Sequence, residues 1–142
     1  MGENNEYSQH FYKNHDKLIR KMYRWYIYVC AGAENDMLIY VGEYRELCKN
    51  HPEFSSIKDS FQGTSYKGQG RIIHYLRKGG TENMVSGKLH KDCFTGEIIP
   101  LGNIGRNDGE YTWWTSLAHY VEKYNLRLPE EFENKIMSTP IS

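Results

Sequence analysis

The chain lacks most of the features that would assign a partner or a compartment by composition. Its 18 lysines and arginines are balanced by 18 aspartates and glutamates over 142 residues, so no global field selects a polyanion. It has three cysteines, Cys30, Cys48 and Cys93, with no CxxC spacing. The odd count argues against a disulfide framework and fits a reducing cytoplasm. No stretch approaches the ~18 consecutive apolar residues of a membrane span, which leads us to expect no membrane partner. The polar start Gly2-Glu3-Asn4-Asn5-Glu6 is not a secretory signal. His10, His15, His51, His90 and His119 show no metal-ligand spacing. Gly68-Gln69-Gly70 hints at a phosphate loop, but no Walker or dinucleotide fingerprint completes it. No internal repeat is visible. These absences leave a soluble, cytoplasmic, single-core protein as the expectation.

Tyrosine, by contrast, is abundant, with 12 residues. Two tyrosine triplets, Tyr26-Ile27-Tyr28 and Tyr40-Val41-Gly42, sit in strand-like runs, Trp25 to Cys30 and Met37 to Gly42. The intervening Ala31-Gly32-Ala33-Glu34-Asn35-Asp36 has hairpin composition. Ahead of them, residues 11–24 carry a loose helical stripe with basic residues around it. After them, Glu43 to Gln69 is polar, with a short helix expected near Arg45–Asn50 that His51-Pro52 would end. Gly70 to Gly80 reads as a helix with Ile72, Ile73 and Leu76 inward and Gly79-Gly80 as its stop. Met84-Val85 reads as part of a short strand, Glu97 to Leu101 as a third strand, and Gly102 to Gly109 as a loop. From Glu110 to Asn125, Trp113, Trp114, Leu117, Ala118, Val121 and Tyr124 recur at three- and four-residue steps, which predicts the longest helix. Glu130 to Met137 follows as a short helix. The order predicts an α+β fold, a small sheet with helices packed on it.

The two triplets and their eleven-residue gap, Val29 to Ile39, resemble the paired motifs of the GIY-YIG nuclease superfamily. The resemblance covers residues 25–125. It leaves 1–24 as a polar N-terminal segment and helix, and 126–142 as a C-terminal helix and tail. It implies a mostly antiparallel three-stranded sheet flanked by helices, and hydrolysis of DNA phosphodiester bonds with Mg2+ or Mn2+. It also implies roles for individual residues. Tyr28 and Tyr40 would be the motif tyrosines, Arg71 and His74 the arginine and histidine of the next helix, and Glu110 the metal-holding glutamate. Asn125 would be the asparagine that follows the helix opened by that glutamate. Arg45 and Arg77 compete with Arg71, and Glu122 competes with Glu110. The chain departs from the family pattern in having Tyr26 where glycine is usual, and in an insertion within Glu43 to Gln69. A catalytically silent member that binds DNA or another protein is the alternative.

The chemistry those roles require is consistent with the residue types. A planar guanidinium suits non-bridging phosphate oxygens. One carboxylate suffices for an ion that keeps its waters and takes a phosphate oxygen. A tyrosine, with its pKa near ~10, needs help to act as an acid or base. From Lys67 to Lys91 six basic residues (Lys67, Arg71, Arg77, Lys78, Lys88 and Lys91) face one acid, Glu82. That patch suits the phosphates of DNA.

Overall fold

A computed structural model of the chain describes residues 38–140. The expected strand 25–30, its hairpin, the helix over 11–24 and Tyr28 lie outside the described residues. The elements run β1 (Ile39–Tyr40), a 3-10 turn (Ile57–Ser60), α1 (Gln69–Lys78), β2 (Thr81–Val85), β3 (Ile104–Asn107), β4 (Tyr111–Trp114), α2 (Leu117–Tyr124) and α3 (Glu130–Ser138). The fold is α+β. Among the described residues the sheet has four strands in the order β1-β4-β3-β2. It is mixed: β1 runs parallel to β4, while β2–β3 and β3–β4 are antiparallel. The expected three strands are corrected to four among the described residues, while two of the three pairings are antiparallel as expected.

The largest correction is at Glu110–Trp114, expected to open a helix. Asn107-Asp108-Gly109 is a hairpin signal, and it overrides the helical spacing. Asp108 Oδ1 accepts from the N–H groups of Glu110 at 3.0 Å and Tyr111 at 2.7 Å, and Asn107 Oδ1 accepts from Gly109 N at 3.0 Å. The chain therefore reverses, and Tyr111-Thr112-Trp113-Trp114, aromatic and β-branched, pairs as a strand. The helical steps seen in sequence become real only at Leu117, where α2 begins. The expected loop 102–109 holds β3, and the expected strand at Glu97–Leu101 is an irregular segment with one isolated bridge, Lys91 to Ile98. At Arg45–Asn50 there are turns, not a helix.

α1 follows the sequence reading. Ile72 and Leu76, four residues apart, are buried. The helix ends as Gly79 N donates to Tyr75 O at 2.7 Å, and its last carbonyls are met from β3. Arg106 donates to Gly79 O at 2.8 Å, Lys78 O at 3.2 Å and Gly80 O at 3.3 Å, satisfying acceptors that a helix end leaves open. Gly80, at φ 61°, lies so close to β3 that a Cβ would come within 2.0 Å of Asn107 O. Only glycine fits that crossing.

The core lies between one sheet face and the three helices. Trp113, Phe132, Ile72, Leu76, Val121 and Ile136 are its buried centre. Trp113 Nε1 donates to Leu76 O at 2.8 Å, so the indole is buried without leaving its N–H unpaired. Burial of each such large side chain contributes roughly 1.5–3 kcal/mol. α3 matches its expected position, with Phe132, Glu133 and Ile136 buried.

Candidate functional site

Because Tyr75 and Gly79-Gly80 end α1 against the β3–β4 hairpin, a cleft opens between that helix end, the hairpin and α3. Its volume is about 900 Å³, and Arg71, His74, Lys78, Asp108, Lys135 and Thr139 are among its lining residues. Arg71 and His74 are three residues apart on α1, so they share one face. The His74 and Lys78 side chains are exposed and have neither a hydrogen bond nor a carboxylate partner among the described residues.

Arg71 is partly engaged. Its Nε donates to Ile136 O at 3.2 Å and its Nη2 to Thr139 O, both at the C-terminal end of α3. Nη1 has no partner among the described residues.

The acidic side of the cleft is held by Lys135. Its ammonium lies 2.9 Å from Glu110 Oε1 and 3.3 Å from Asp108 Oδ2. Tyr75 Oη donates to Asp108 Oδ2 at 2.6 Å. Burial pushes Asp108 up, but bonds from Tyr111 N, Tyr75 and Glu110 N and the nearby Lys135 outweigh it, so the carboxyl titrates below its usual range. Burial lowers Lys135, but Glu110 and Asp108 outweigh that and hold it above the ordinary lysine value. Burial and the bond to Asp108 raise Tyr75. Tyr75, Asp108 and Lys135 were not marked in the sequence. Asn-Asp-Gly signals the Asp108 turn, but nothing local signals that Lys135 returns to it.

The other residues implied by the resemblance fall in several places. Glu110 does not begin a helix; it sits in the hairpin beside the cleft, bonded to Lys135. Ile39 and Val41 pack on the core, and Tyr40 pairs in register with Thr112. Successive strand residues point to opposite faces, so Tyr40 projects from the sheet face opposite the one covered by α1 and α3. Gly42, at φ 135°, lies under the Tyr40 ring, where a Cβ would come within 3.0 Å of Tyr40 Oη. The tyrosine and glycine of the second triplet therefore fit each other. Arg77 pairs with Glu122 at 3.0 Å, both exposed, which joins two competing candidates to each other. Asn125 caps α2 at φ 57°; its Oδ1 accepts from Gln69 Nε2 at 2.8 Å, and its Nδ2 donates to Gln62 O at 3.3 Å. Lys67, Arg45 and Lys88 are exposed. The structure thus brings together Arg71, His74 and Lys78 in one cleft, leaves Glu110 beside it on Lys135, and sets Tyr40 and Asn125 elsewhere.

A second polar cluster surrounds Asp92, whose side chain has 0% exposure. It accepts from His119 Nε2 at 2.7 Å, Tyr124 Oη at 2.7 Å, Phe94 N at 2.8 Å and Thr95 N at 3.1 Å. Burial raises this carboxyl, but those donors outweigh it and hold it at about 2. The tyrosine is raised by its burial and by Asp92, to about 12. The cluster ties the β2–β3 connection to α2.

Among the described residues no group of three or more His, Cys, Asp or Glu side chains is placed to hold a metal ion. Mg2+ makes weaker demands, since one or two carboxylates with waters and substrate oxygens suffice. Asp108 and Glu110 are carboxylates of that kind, but in the fold both are paired with the Lys135 ammonium, which an ion would have to displace.

No family model matches the chain, and no curated protein or solved structure matches it either.

Proposed function

We propose that this protein is a metal-dependent endonuclease of the GIY-YIG kind that hydrolyses DNA phosphodiester bonds. The observation that carries this reading is that Arg71 and His74, on successive turns of α1, open with Lys78 onto one cleft, and that Glu110 lies beside it, bonded to the lining residue Lys135. A phosphate entering it would meet the free edge of the Arg71 guanidinium and the Lys78 ammonium. These groups neutralise charge that grows on non-bridging oxygens during hydrolysis. His74, within the same opening, is the group available to move a proton. Glu110, with Asp108 beside it, would hold Mg2+ or Mn2+. When bound, such an ion supplies positive charge for the phosphate and for the leaving 3′-oxygen. By resemblance Tyr28 would be the tyrosine near the attacking water, while Tyr40, the tyrosine of the second motif, projects from the other sheet face and takes no part in this cleft. Lys67, Arg77, Lys78 and Lys88 extend the phosphate contacts, and Asn125 joins them on the same ground of resemblance.

The test is plasmid nicking with Mg2+ or Mn2+ by the wild type, Arg71→Ala, Tyr28→Phe and Glu110→Ala. The wild type nicks, and each variant loses about a hundredfold or more. An inert wild type, or variants that all cut as well as it does, ends the reading.

A second reading, a DNA-binding member that does not cut, is favoured by one observation: Tyr40 projects from the sheet face away from Arg71. Salt-dependent duplex binding without metal-dependent nicking selects it.

A further inference from the structure

β2 and β3 are joined by an arm, residues 86–103, not by a tight turn. The arm closes at its base, where Ser86 N donates to Asn103 O at 2.8 Å and Asn103 Nδ2 donates to Ser86 O at 2.7 Å. Further out, Ile99 N donates to His90 O at 2.9 Å, and Lys91 bridges Ile98. Side chains alternate along both limbs. His90, Asp92 and Ile99 turn inward, while Leu89, Lys91 and Ile98 turn to solvent. Leu89 and Ile98 are 54% and 53% exposed, and Leu101 is 75% exposed.

Leu101 is held in that position against two penalties. Its φ of 58° is a left-handed conformation that costs a residue with a Cβ. Its side chain also forgoes burial. The backbone is fixed by Thr115 Oγ1, which donates to Leu101 O at 2.5 Å, and by Ser116 N, which donates to Gly102 O at 3.1 Å. A leucine tip is thus pinned outward by the start of α2.

The charge around it is of one sign. Lys88 and Lys91 are exposed and have no carboxylate partner among the described residues. The arm's acids are spoken for: Asp92 is buried under its donors, and Glu97 is bonded to Lys123 at 3.0 Å.

We propose that the arm is a wedge for duplex DNA, with Leu101 entering a base step beside Ile98 and Leu89 while Lys88 and Lys91 hold the adjoining phosphates. The inference rests on the nucleic-acid reading above, not on cutting. Apolar side chains that part a base step must be stiff, because unstacking costs a few kcal/mol that a yielding tip would not repay. The pinned backbone provides that stiffness. An anionic lipid surface would also accept lysines and leucines, but it needs no strained, fixed tip. β2 leads from the cleft at Gly80 and Thr81 to the arm after Val85. At ~3.3 Å per residue the two lie about 13 Å apart along the strand, the rise of about four base pairs.

The test uses the full chain and a duplex with 2-aminopurine at a TA step, which kinks readily. Wild type binding raises the 2-aminopurine emission. Leu101→Gly relieves the positive φ and keeps the fold, as does Leu101→Asn. Both lose the emission rise and bind about tenfold more weakly. Lys88→Ala and Lys91→Ala each lower the slope of log K against log salt by about one. If Leu101→Gly binds and unstacks as the wild type does, the wedge is wrong while DNA binding stands. If the wild type ignores the duplex but binds vesicles containing phosphatidylserine, the arm is a lipid contact, and both the wedge and the DNA reading fail. Binding to neither overturns both. Unstacking without nicking leaves the wedge standing and removes only the nuclease.

Discussion

Around Asp92 the carboxylate is buried and meets four hydrogen-bond donors. In the Arg71 cleft, basic side chains line an open space of about 900 Å³, and two of them, His74 and Lys78, meet no side-chain partner among the described residues. Both regions are rich in titratable groups, yet their energetics differ. A buried network with its donors and acceptors matched is a fastening, since removing one member strands the others. A half-matched cleft at the surface costs little to leave open, because water fills the unused valences. Its groups are free to meet a ligand. The number of ionisable side chains does not separate the two regions; the degree to which the protein itself satisfies them does.

The strongest way to break this comparison is Asp92→Ala. It would leave His119, Tyr124 and two backbone N–H groups without their acceptor, and should cost about 3–5 kcal/mol in urea unfolding. A loss below about 1 kcal/mol would mean the cluster is no fastening.

Acid sharpens the same point. Asp92 titrates at about 2 in the fold, below the ~3.9 of an unfolded chain. Because the folded value is depressed, its contribution is complete above pH ~4 and fades as pH falls toward 2, a loss of about 2 kcal/mol. Asp92→Asn should flatten that acid limb in denaturation followed from about pH 5 to about pH 1.

Arg71→Ala comes next, with duplex affinity falling about tenfold in fluorescence anisotropy. Its loss of the two α3 carbonyl contacts should lower stability by only about 1–2 kcal/mol. Smallest in stability is Lys78→Ala, within about 0.5 kcal/mol of wild type by thermal unfolding, although its salt slope for DNA should fall by about one. A Lys78→Ala protein that unfolds much more easily would show that the cleft, too, is structural.

Several elements were legible in the sequence for plain reasons. α1 carried Ile72 and Leu76 at one helical turn and a Gly-Gly stop, and α3 carried Phe132 and Ile136 in the same way. Residues 110–116 misled because Trp113, Leu117 and Val121 recur every four residues whether or not a strand ends between them. The Asn-Asp-Gly turn was the better local signal. Glu97–Leu101 reads as a third strand because apolar residues cluster there; in the fold they form a limb of the arm, with Ile99 buried and Ile98 and Leu101 exposed. For the site, Arg71 and His74 could be paired from their spacing on one helix. Lys135 could not, because its approach to Asp108 and Glu110 exists only once α3 packs against the hairpin. Nor could the outward-facing side of Tyr40, which depends on its register with Thr112.

The hydrogen bond from the Trp113 indole to Leu76 gives the molecule a built-in optical gauge. α1 carries Arg71, His74 and Lys78 on one side and grips Trp113 Nε1 with a carbonyl on the other. A displacement of that helix when the cleft fills must change the surroundings of a buried fluorophore. Any such displacement would then show in the intrinsic emission of Trp113 once Trp25 and Trp114 are replaced by phenylalanine, without attaching a dye.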